Sequence, residues 1–389
     1  MSEIKVNSIK GVAASSAAIT ISNTDGTCTA NITNNLSNRN KVINGAMAVK
    51  QRSSSVTGIT GSGYYTADRM QLVLANGGTW TNTISTDTPD GFADSYKLDC
   101  TTADASLGGD DLVVFRHVIE AQNLQDFAKG TSSAKSFTVS FYIKTNKTGT
   151  YVLELLDDAN SRQVSKSYTV SNTDWNRYTI SFPADTSGAI ANTNAAGLYV
   201  TFWLAAGTNW TSGTQQTSWG SITKANRVNG LNVNIADNTS NEWLITGIQL
   251  EVDQTGSGVA TDFEFRSFSQ ELQLCKRYFN MYSRTDSDSG TESFLAHGFY
   301  FTSTRFMAPL RFDVPMRTHS WSLYKVVGSS YFALYDDTGG EHTLNDVGLN
   351  GQGHNQSANL NLTGISSSGA AGMFFTKNTS ARLGFDAEL

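Results

Sequence analysis

Apolar and polar residues alternate along much of the chain with the period of two that indicates β-strands. In residues 136–145 the apolar side chains occupy every second position: Phe137, Val139, Phe141 and Ile143. Residues 198–204 place Leu198, Val200, Phe202 and Leu204 on the opposite side from Tyr199, Thr201 and Trp203. Similar patterns predict strands at residues 149–158, 175–182 and 243–252. Because these strands are short and separated by Gly, Asn and Asp turns, the pattern predicts an antiparallel jelly-roll β-sandwich.

Residues 263–282 break this pattern and predict one helix. Apolar side chains follow helical spacing in two adjacent stripes, which are Phe268, Leu272, Cys275, Phe279 and Tyr282, and Leu274, Tyr278 and Met281. Ser267 and Gln270 match a capping box at its start. The two stripes cover roughly half of the helix circumference. We therefore expect a connector helix that is buried between two packed bodies.

Glu271 falls inside the apolar arc of this helix. A buried carboxylate needs a partner, so we expect an arginine such as Arg311 or Arg317 beside it. Glu271, Arg277 and Arg317 are accordingly predicted to be structural residues. A catalytic Glu271 is the alternative, but no second acid accompanies it.

The remaining segments complete a mainly β architecture with four parts. Residues 1–40 are small and polar, so they either lack a fold of their own or pair with other copies or a docking partner. Residues 41–262 form the predicted jelly roll, and residues 263–282 form the connector helix. Residues 283–389 predict a second, distal β-sandwich, with an exposed Gly-rich loop at 348–357 and a terminal strand that ends the sequence. Its candidate strands lie at residues 299–301, 310–314, 321–327, 331–335 and 382–389.

Composition narrows the possible partners. Charged residues make up 16% of the chain, against a typical value of about 25%. Its 28 Lys and Arg and 34 Asp and Glu give a formal net charge of −6. The longest basic cluster is Lys276-Arg277, whereas nucleic-acid binding requires a basic face. We therefore expect no nucleic-acid binding. No stretch has the length and apolar character of a membrane helix or of a Leu-rich signal peptide, so we expect no membrane insertion and synthesis inside a cell.

Metal and disulfide signals are weak. Cys28, Cys100 and Cys275 lie far apart without CxxC spacing, which predicts buried free thiols. The five histidines show neither HxH nor HExxH spacing. Acidic runs at residues 110–111, 157–158 and 286–288 favour solvated turns, although a structural calcium ion stays an alternative. We therefore predict no cofactor.

Several short motifs, taken in order, resemble a known family. They are residues 42–52 (VINGAMAVKQR), 65–69 (YTADR), 117–120 (HVIE), 247–251 (GIQLE), 260–278 (ATDFEFRSFSQELQLCKRY), 312–317 (FDVPMR) and the final FDAEL. This series resembles the jelly-roll module of bacteriophage tail fibre proteins, which is related to carbohydrate-binding domains. The opening MSEIKVNSI with its later DGT resembles the virion-docking leader of marine phage tail proteins. The large tail-binding domain and long coiled shaft of other fibres are absent from this sequence.

The resemblance implies a homotrimeric tail fibre that is assembled in the host cytoplasm and located on the virion tail. Its leader would dock to a tail or adaptor protein, and its role would be adsorption to a host-surface glycan or protein. A purely structural appendage, such as a head fibre, decoration or adaptor protein, is one alternative. A glycan-degrading tailspike is the other. The chain shows none of the repeats expected of a β-helical depolymerase, no GxSxG elbow and no evident carboxylate pair, so we predict that it is not an enzyme.

Two groups of residues are candidates for glycan or receptor binding. Exposed aromatics can stack on sugar rings, which favours Tyr142, Tyr199, Trp203, Trp210 and Trp219 in the jelly roll. The alternative is that these rings fill a domain or trimer interface. Turn-rich segments of the distal domain contribute Tyr331, Tyr335, Asp336, Asp337, His342, His354 and Asn355. Their alternative is a set of solvated turns.

Overall fold

The computed structural model describes residues 37–253, 256–283, 292–351, 354–363, 365 and 369–389. In residues 1–36, which we call the leader, it describes positions 6, 8–9, 19–22, 24 and 28–30. The strands that these residues form pair in antiparallel fashion. Three short strands in the leader make a small sheet: β1 (Ser8–Ile9), β2 (Ile19–Ile21) and β3 (Cys28–Ala30). Among the described residues, no helix has both the length and the apolar character needed to cross a membrane.

The first sandwich consists of two sheets. In chain order its strands are β4 (Ser55–Ile59), β5 (Gly63–Tyr64), β6 (Met70–Ala75), β7 (Thr79–Ser85), β8 (Ser95–Thr102), β9 (Leu112–Glu120), β10 (Phe137–Thr145), β11 (Gly149–Asp157), β12 (Arg162–Val170), β13 (Asn176–Phe182), β14 (Ala196–Ala206), β15 (Gly220–Ser221) and β16 (Glu242–Val252). One sheet has the order β13-β10-β16-β8-β7-β4, and the other has the order β15-β12-β11-β14-β9-β6-β5. Short helices interrupt the connections: a 3₁₀ turn at Ala121–Phe127, α1 at Thr208–Thr211 and a second 3₁₀ turn at Lys224–Asn226.

The core of this sandwich follows from the alternation in the sequence. Side chains at every second position of β10 and β14 point between the sheets and are buried: Phe137, Val139, Phe141, Ile143, Leu198, Val200, Phe202 and Leu204. Trp243 packs among them, with its ring 5.4 Å from that of Phe115. The predicted strands and their inward faces are confirmed, and non-consecutive strands are neighbours in both sheets, as in a jelly roll.

A second sandwich follows. Its strands are β17 (Phe279–Met281), β18 (Ser293–Thr302), β19 (Arg305–Arg311), β20 (Ser322–Val326), β21 (Phe332–Asp336), β22 (Glu341–Leu344), β23 (Gly348–Leu349), β24 (Ser357–Thr363), β25 (Ala371–Thr376) and β26 (Arg382–Asp386). Three strands form the sheet β17-β26-β20, and seven form the sheet β22-β21-β25-β18-β19-β24-β23. The buried side chains between them include Phe306, Trp321, Leu334, Phe374 and Phe385. The fold is therefore mainly β with two sandwiches, as predicted.

The connector helix is shorter and more exposed than the sequence pattern predicts. Helix α2 spans Phe268–Lys276 and begins at Ser267, whose side chain forms the predicted capping box with Gln270. Phe279 does not continue the helix, because it pairs with Asp386 as the first residue of β17. Glu271 and Cys275 are the buried residues of the helix, whereas Phe268 is 60% exposed and Leu274 is 37% exposed. The prediction of a helix buried over half of its circumference is therefore wrong.

The partners that Glu271 has in the structure also differ from the predicted ones. Its carboxylate accepts a hydrogen bond of 2.5 Å from the backbone N–H of Asn44 and lies 3.3 Å from the guanidinium of Arg266. Arg266 precedes the helix cap, so the chain supplies the counter-charge locally. Arg311 is exposed and Arg317 binds backbone carbonyls elsewhere, so the expected pairing with either of them is wrong.

Two buried arginines of the first sandwich hold the last residues of the chain. Arg52 lies 3.0 Å from the carboxylate of Asp386 and 3.4 Å from that of Glu388, and Arg69 pairs with Glu388 as well. Each guanidinium stacks on a ring next to α2, with Arg52 at 3.6 Å from the Phe279 ring centre and Arg69 at 3.5 Å from that of Tyr278. We call this set the arginine clamp. It joins the two sandwiches, since β26 belongs to the second one.

The neutral ring of His117 supports the clamp. Its Nδ1 lies 3.2 Å from the carbonyl oxygen of Arg69, and its Nε2 accepts the backbone N–H of Ile43 at 3.4 Å. Both contacts are satisfied only when Nδ1 carries the single proton. Burial, and then the charge of Arg69, hold the pKa of His117 well below its ordinary value.

This geometry predicts a loss of stability in mild acid. The unfolded chain binds a proton at His117 below a pH of about 6.5 and the folded chain does not. The free energy of unfolding should therefore be fully retained above that pH and fall below it. The slope should reach about 1.4 kcal/mol per pH unit for this group. Urea unfolding between pH 7.5 and 5.5 measures it.

The matched variants are His117→Gln, which should flatten the slope, and His319→Gln at an exposed histidine, which should leave it unchanged. An equal slope in the wild type and in His117→Gln would contradict this assignment.

Candidate functional site

A polar cleft of about 330 Å³ opens where the two sandwiches meet. Its size lies at the lower end of the range for small-ligand sites. One residue comes from the first sandwich and the others from loops of the second: Asn194, Arg317, Thr318, His319, His354 and Asn355. We call it the interdomain cleft.

Backbone hydrogen bonds fix both walls of the interdomain cleft. On one side, the N–H groups of Gln122 and Ala121 bind the carbonyls of Thr193 and Ala195, which flank Asn194. On the other side, the N–H of Arg317 binds the carbonyl of Arg277 at the end of α2 at 2.7 Å. The backbone on each side of the cleft is therefore held by its own sandwich or by the end of α2.

Arg317 links the two walls. Its guanidinium donates to three carbonyl oxygens, those of Ala387 at 2.7 Å, Asn194 at 3.0 Å and Glu388 at 3.0 Å. The side-chain amide of Asn194 donates in return to the carbonyl of Arg317 at 2.6 Å. Burial lowers the pKa of Arg317 from its ordinary value. The predicted structural role of Arg317 agrees with these bonds, although its partner is not Glu271.

The loop that carries His354 and Asn355 is also held by its backbone. The N–H of Met316 binds the carbonyl of Asn355 at 2.7 Å, and the indole of Trp321 donates to the carbonyl of His354 at 3.4 Å. The amide oxygen of Asn355 is shielded from solvent and has no hydrogen-bond partner among the described residues. The cleft thus offers a guanidinium, two imidazoles, a hydroxyl and amides, which suit the hydroxyl groups of a sugar.

A second surface collects aromatic rings beside α2. Phe92 contacts Tyr142, Phe263 and Phe265, with ring centres 5.2 to 5.3 Å apart. Phe265 and Phe268 are each 60% exposed at the mouth of a pocket of about 240 Å³. These five rings form what we call the aromatic surface. Sequence reasoning identified Tyr142 alone, although the two phenylalanines at spacing two before the helix were a usable signal.

One predicted aromatic, Trp203, faces outward from its sheet but is covered by the chain itself. Trp203 is only 2% exposed because Trp210 packs 5.3 Å away and residues 207–232 lie over this face. The indole of Trp203 donates to Glu154 at 3.0 Å, and Arg227 binds the same carboxylate at 2.7 Å. The expectation of an exposed ring is therefore wrong for Trp203.

Tyr199 and Trp219 are half-buried. Tyr199 lies under the guanidinium of Arg116, 5.0 Å from its ring centre. Trp219 packs against Phe137 at 6.3 Å and donates to the carbonyl of Pro183 at 3.0 Å. Binding by either residue stays a prediction, and the contacts of Trp219 favour a structural role.

In the second sandwich most of the predicted binding residues shape turns. The carboxylate of Asp336 accepts the backbone N–H of Gly340 at 2.7 Å and lies 2.8 Å from Nε2 of His342. Asp337 accepts the N–H of Ala370 at 3.0 Å. The hydroxyl of Tyr335 accepts from Lys377 at 2.9 Å. Tyr331 packs against the second core. Of the seven candidates in this domain, His354 and Asn355 are the two that line the interdomain cleft.

Asp157, from one of the acidic runs in the sequence, belongs to a buried ion cluster. The ammonium of Lys129 lies 2.5 Å from Asp157 and 3.0 Å from Asp185, and it donates to the carbonyl of Gly188 at 2.8 Å. Arg162 binds Asp185 at 2.6 Å. In the part of the chain that the structure describes, no three His, Cys, Asp or Glu side chains form a metal-binding group. The predicted alternative of a structural calcium ion stays untested.

No protein-family model and no curated protein sequence matches the chain. Among solved structures it is similar to a sugar binding protein from Bacteroides thetaiotaomicron, at 10% identity and a TM-score of 0.28, over 55% of this chain and 100% of that one. It is likewise similar to a family 4 carbohydrate-binding module, at 10% identity and a TM-score of 0.27, over 55% of this chain and 99% of that one. A family 61 module in complex with β-1,4-galactotriose gives 10% identity and a TM-score of 0.23, over 55% and 99%. Scores and identities of this size do not identify a ligand.

The ion cluster predicts a large difference between two lysines. Replacing Lys129 with Met should destabilise the chain by about 3 to 5 kcal/mol, because two buried carboxylates lose a buried counter-charge. Lys147→Met is the matched control, since Lys147 pairs with Asp237 while both side chains are about 30% exposed. That variant should change the free energy of unfolding by about 1 kcal/mol or less. Urea denaturation measures both, and equal losses would contradict the assignment.

Proposed function

We propose that this chain is the subunit of a bacteriophage tail fibre that recognises a host-surface glycan without cleaving it. The interdomain cleft is the observation that carries the proposal. It is lined by donors and acceptors for sugar hydroxyls, and its walls are fixed before any ligand arrives. A preformed site loses less conformational entropy on binding than a mobile one. The order of the sequence motifs supports the assignment to a phage tail.

The residues that line the cleft favour binding over hydrolysis. Glycoside hydrolysis requires two carboxyl groups about 5 to 10 Å apart at the scissile bond. The described lining residues instead carry amide, imidazole, hydroxyl and guanidinium groups. A tail fibre multiplies a weak single-site affinity because several copies contact one cell surface.

The proposal predicts that binding depends on the lining of the cleft. The purified full chain should bind members of an array of bacterial surface polysaccharides. The double variant His319→Ala and His354→Ala should lose about tenfold or more in affinity, since two imidazole donors for sugar hydroxyl groups are removed. Lys135→Ala, at an exposed lysine of the first sandwich outside the cleft, is the control and should bind as the wild type does.

The same array separates the rival functions. Release of reducing sugar by the wild type would support a glycan-degrading tailspike and overturn the non-enzymatic role. A wild-type chain that binds no polysaccharide in the array and does not adhere to host cells would favour a purely structural appendage.

We further propose that the fibre is a homotrimer in which exposed apolar surfaces meet. Strands β18 and β25 of the second sandwich carry four such side chains on their outer face: Phe294, Phe299, Phe301 and Met373, each between 42% and 60% exposed. The exposed Phe265, Phe268 and Leu274 add a second apolar region. Contiguous apolar surface of this kind marks interaction sites on soluble proteins.

Self-association can be tested directly by analytical ultracentrifugation. The wild type should sediment as a trimer. The double variant Phe299→Asp and Phe301→Asp should shift toward monomer because each carboxylate is desolvated at the interface. Lys325→Asp, at an exposed lysine, controls for the change in charge. A wild-type chain that stays monomeric at micromolar concentration would refute the proposed assembly.

A further inference from the structure

We propose that the interdomain cleft binds a sugar residue that carries a carboxylate, of the uronic acid class. This inference rests on the proposed function, because it names the kind of sugar that the same cleft recognises. It is drawn from the charges around Arg317.

The guanidinium of Arg317 has no carboxylate partner among the described residues. Its three described partners are carbonyl oxygens, which carry no formal charge. The nearby acids are already engaged: Glu120 is buried and paired with Arg277 at 3.0 Å, and the carboxylate of Glu388 binds Arg69. Glu120 attracts Arg317 from a distance, but its carboxylate is bound to Arg277. A half-buried cation without a carboxylate in direct contact attracts an anion more strongly than a solvated one does.

Arg317 also keeps donors for such an anion. A guanidinium has five N–H donors, and the described carbonyls use three of them. His319 and His354 lie in the same lining, where their imidazoles can donate to a carboxylate. The exposed side chain of Asn194 supplies an amide oxygen as an acceptor for a neighbouring hydroxyl group. A carboxylate and adjacent hydroxyls on one sugar ring match this combination.

The number of permanent charges favours a carboxylate over a phosphate. Arg317 is the single Lys or Arg side chain among the described lining residues. A carboxylate carries one negative charge, which one guanidinium balances. A phosphate monoester carries between one and two charges near neutral pH and has three acceptor oxygens. Sites that bind phosphate groups use clusters of arginine side chains.

The test compares matched charged and neutral sugars on the full chain. Ligand-observed NMR is run with D-glucuronate against D-glucose, D-galacturonate against D-galactose, and D-glucose 6-phosphate as the phosphate arm. The array polysaccharides that bind are then compared before and after chemical reduction of their carboxyl groups. We expect binding of the uronates, at least tenfold weaker binding of the neutral sugars and the phosphate, and a similar loss after carboxyl reduction.

Variants of Arg317 test whether its positive charge binds the carboxylate of the sugar. Arg317→Gln should lose at least tenfold in affinity for the uronate, while Arg317→Lys should retain part of it because the positive charge remains. Circular dichroism checks that each variant is folded, since Arg317 also contacts Ala387 and Glu388. Should Arg317→Gln fail to fold, the wild-type comparison of polysaccharides before and after carboxyl reduction decides the inference without a variant. Lys135→Ala is again the control.

The failures of the two proposals are distinguishable. Equal binding of neutral and acidic sugars, or wild-type affinity in Arg317→Gln, overturns the carboxylate inference and leaves glycan recognition standing. Stronger binding of the phosphate arm overturns it in favour of a phosphorylated glycan. Absence of binding to any sugar or polysaccharide overturns both proposals.

Discussion

The placement of the two sandwiches depends on the arginine clamp. Arg52 and Arg69 lie in the first sandwich, where Asp68 is 3.9 Å from Arg52. Their closer carboxylate partners belong to the second sandwich: Asp386 ends β26 and Glu388 follows it. Removing one partner of a buried ion pair strongly destabilises the fold, because the other charge stays buried. The second sandwich must therefore stay in place to balance charges in the first. The shape of the interdomain cleft depends on the same residues, because Arg317 binds the carbonyls of Ala387 and Glu388 next to the clamp.

Much of the fold could be predicted because it depends on local periodicity. The inward positions of β10 and β14 are two residues apart in the sequence and lie on the same face of a strand, so their burial follows from the pattern alone. The helix shows where this reasoning stops. Phe279 continues the apolar spacing of α2 but lies in β17, because its backbone pairs with Asp386. A pairing across more than a hundred residues leaves no local signal, so the helix was predicted too long and too buried.

The candidate site was less predictable for the same reason. His354 and Asn355 could be selected because a Gly-rich loop on a rigid scaffold often carries function. Their neighbours in the cleft could not, since Asn194 comes from a turn of the other sandwich. The prediction of an exposed Trp203 was wrong for a different reason. The alternation correctly placed its ring on the outer face of the sheet, but residues 207–232 fold back over that face, and no feature of the strand itself indicates this cover.

The small apolar cluster beside α2 has a mechanical consequence. Ile43, near the start of the continuously described chain, and Leu389, its last residue, both pack there with Cys275 and Tyr278. The polypeptide thus enters the folded body and returns to it at one place. A pull applied to residues 37–42 would therefore load the same cluster that holds Leu389 in place.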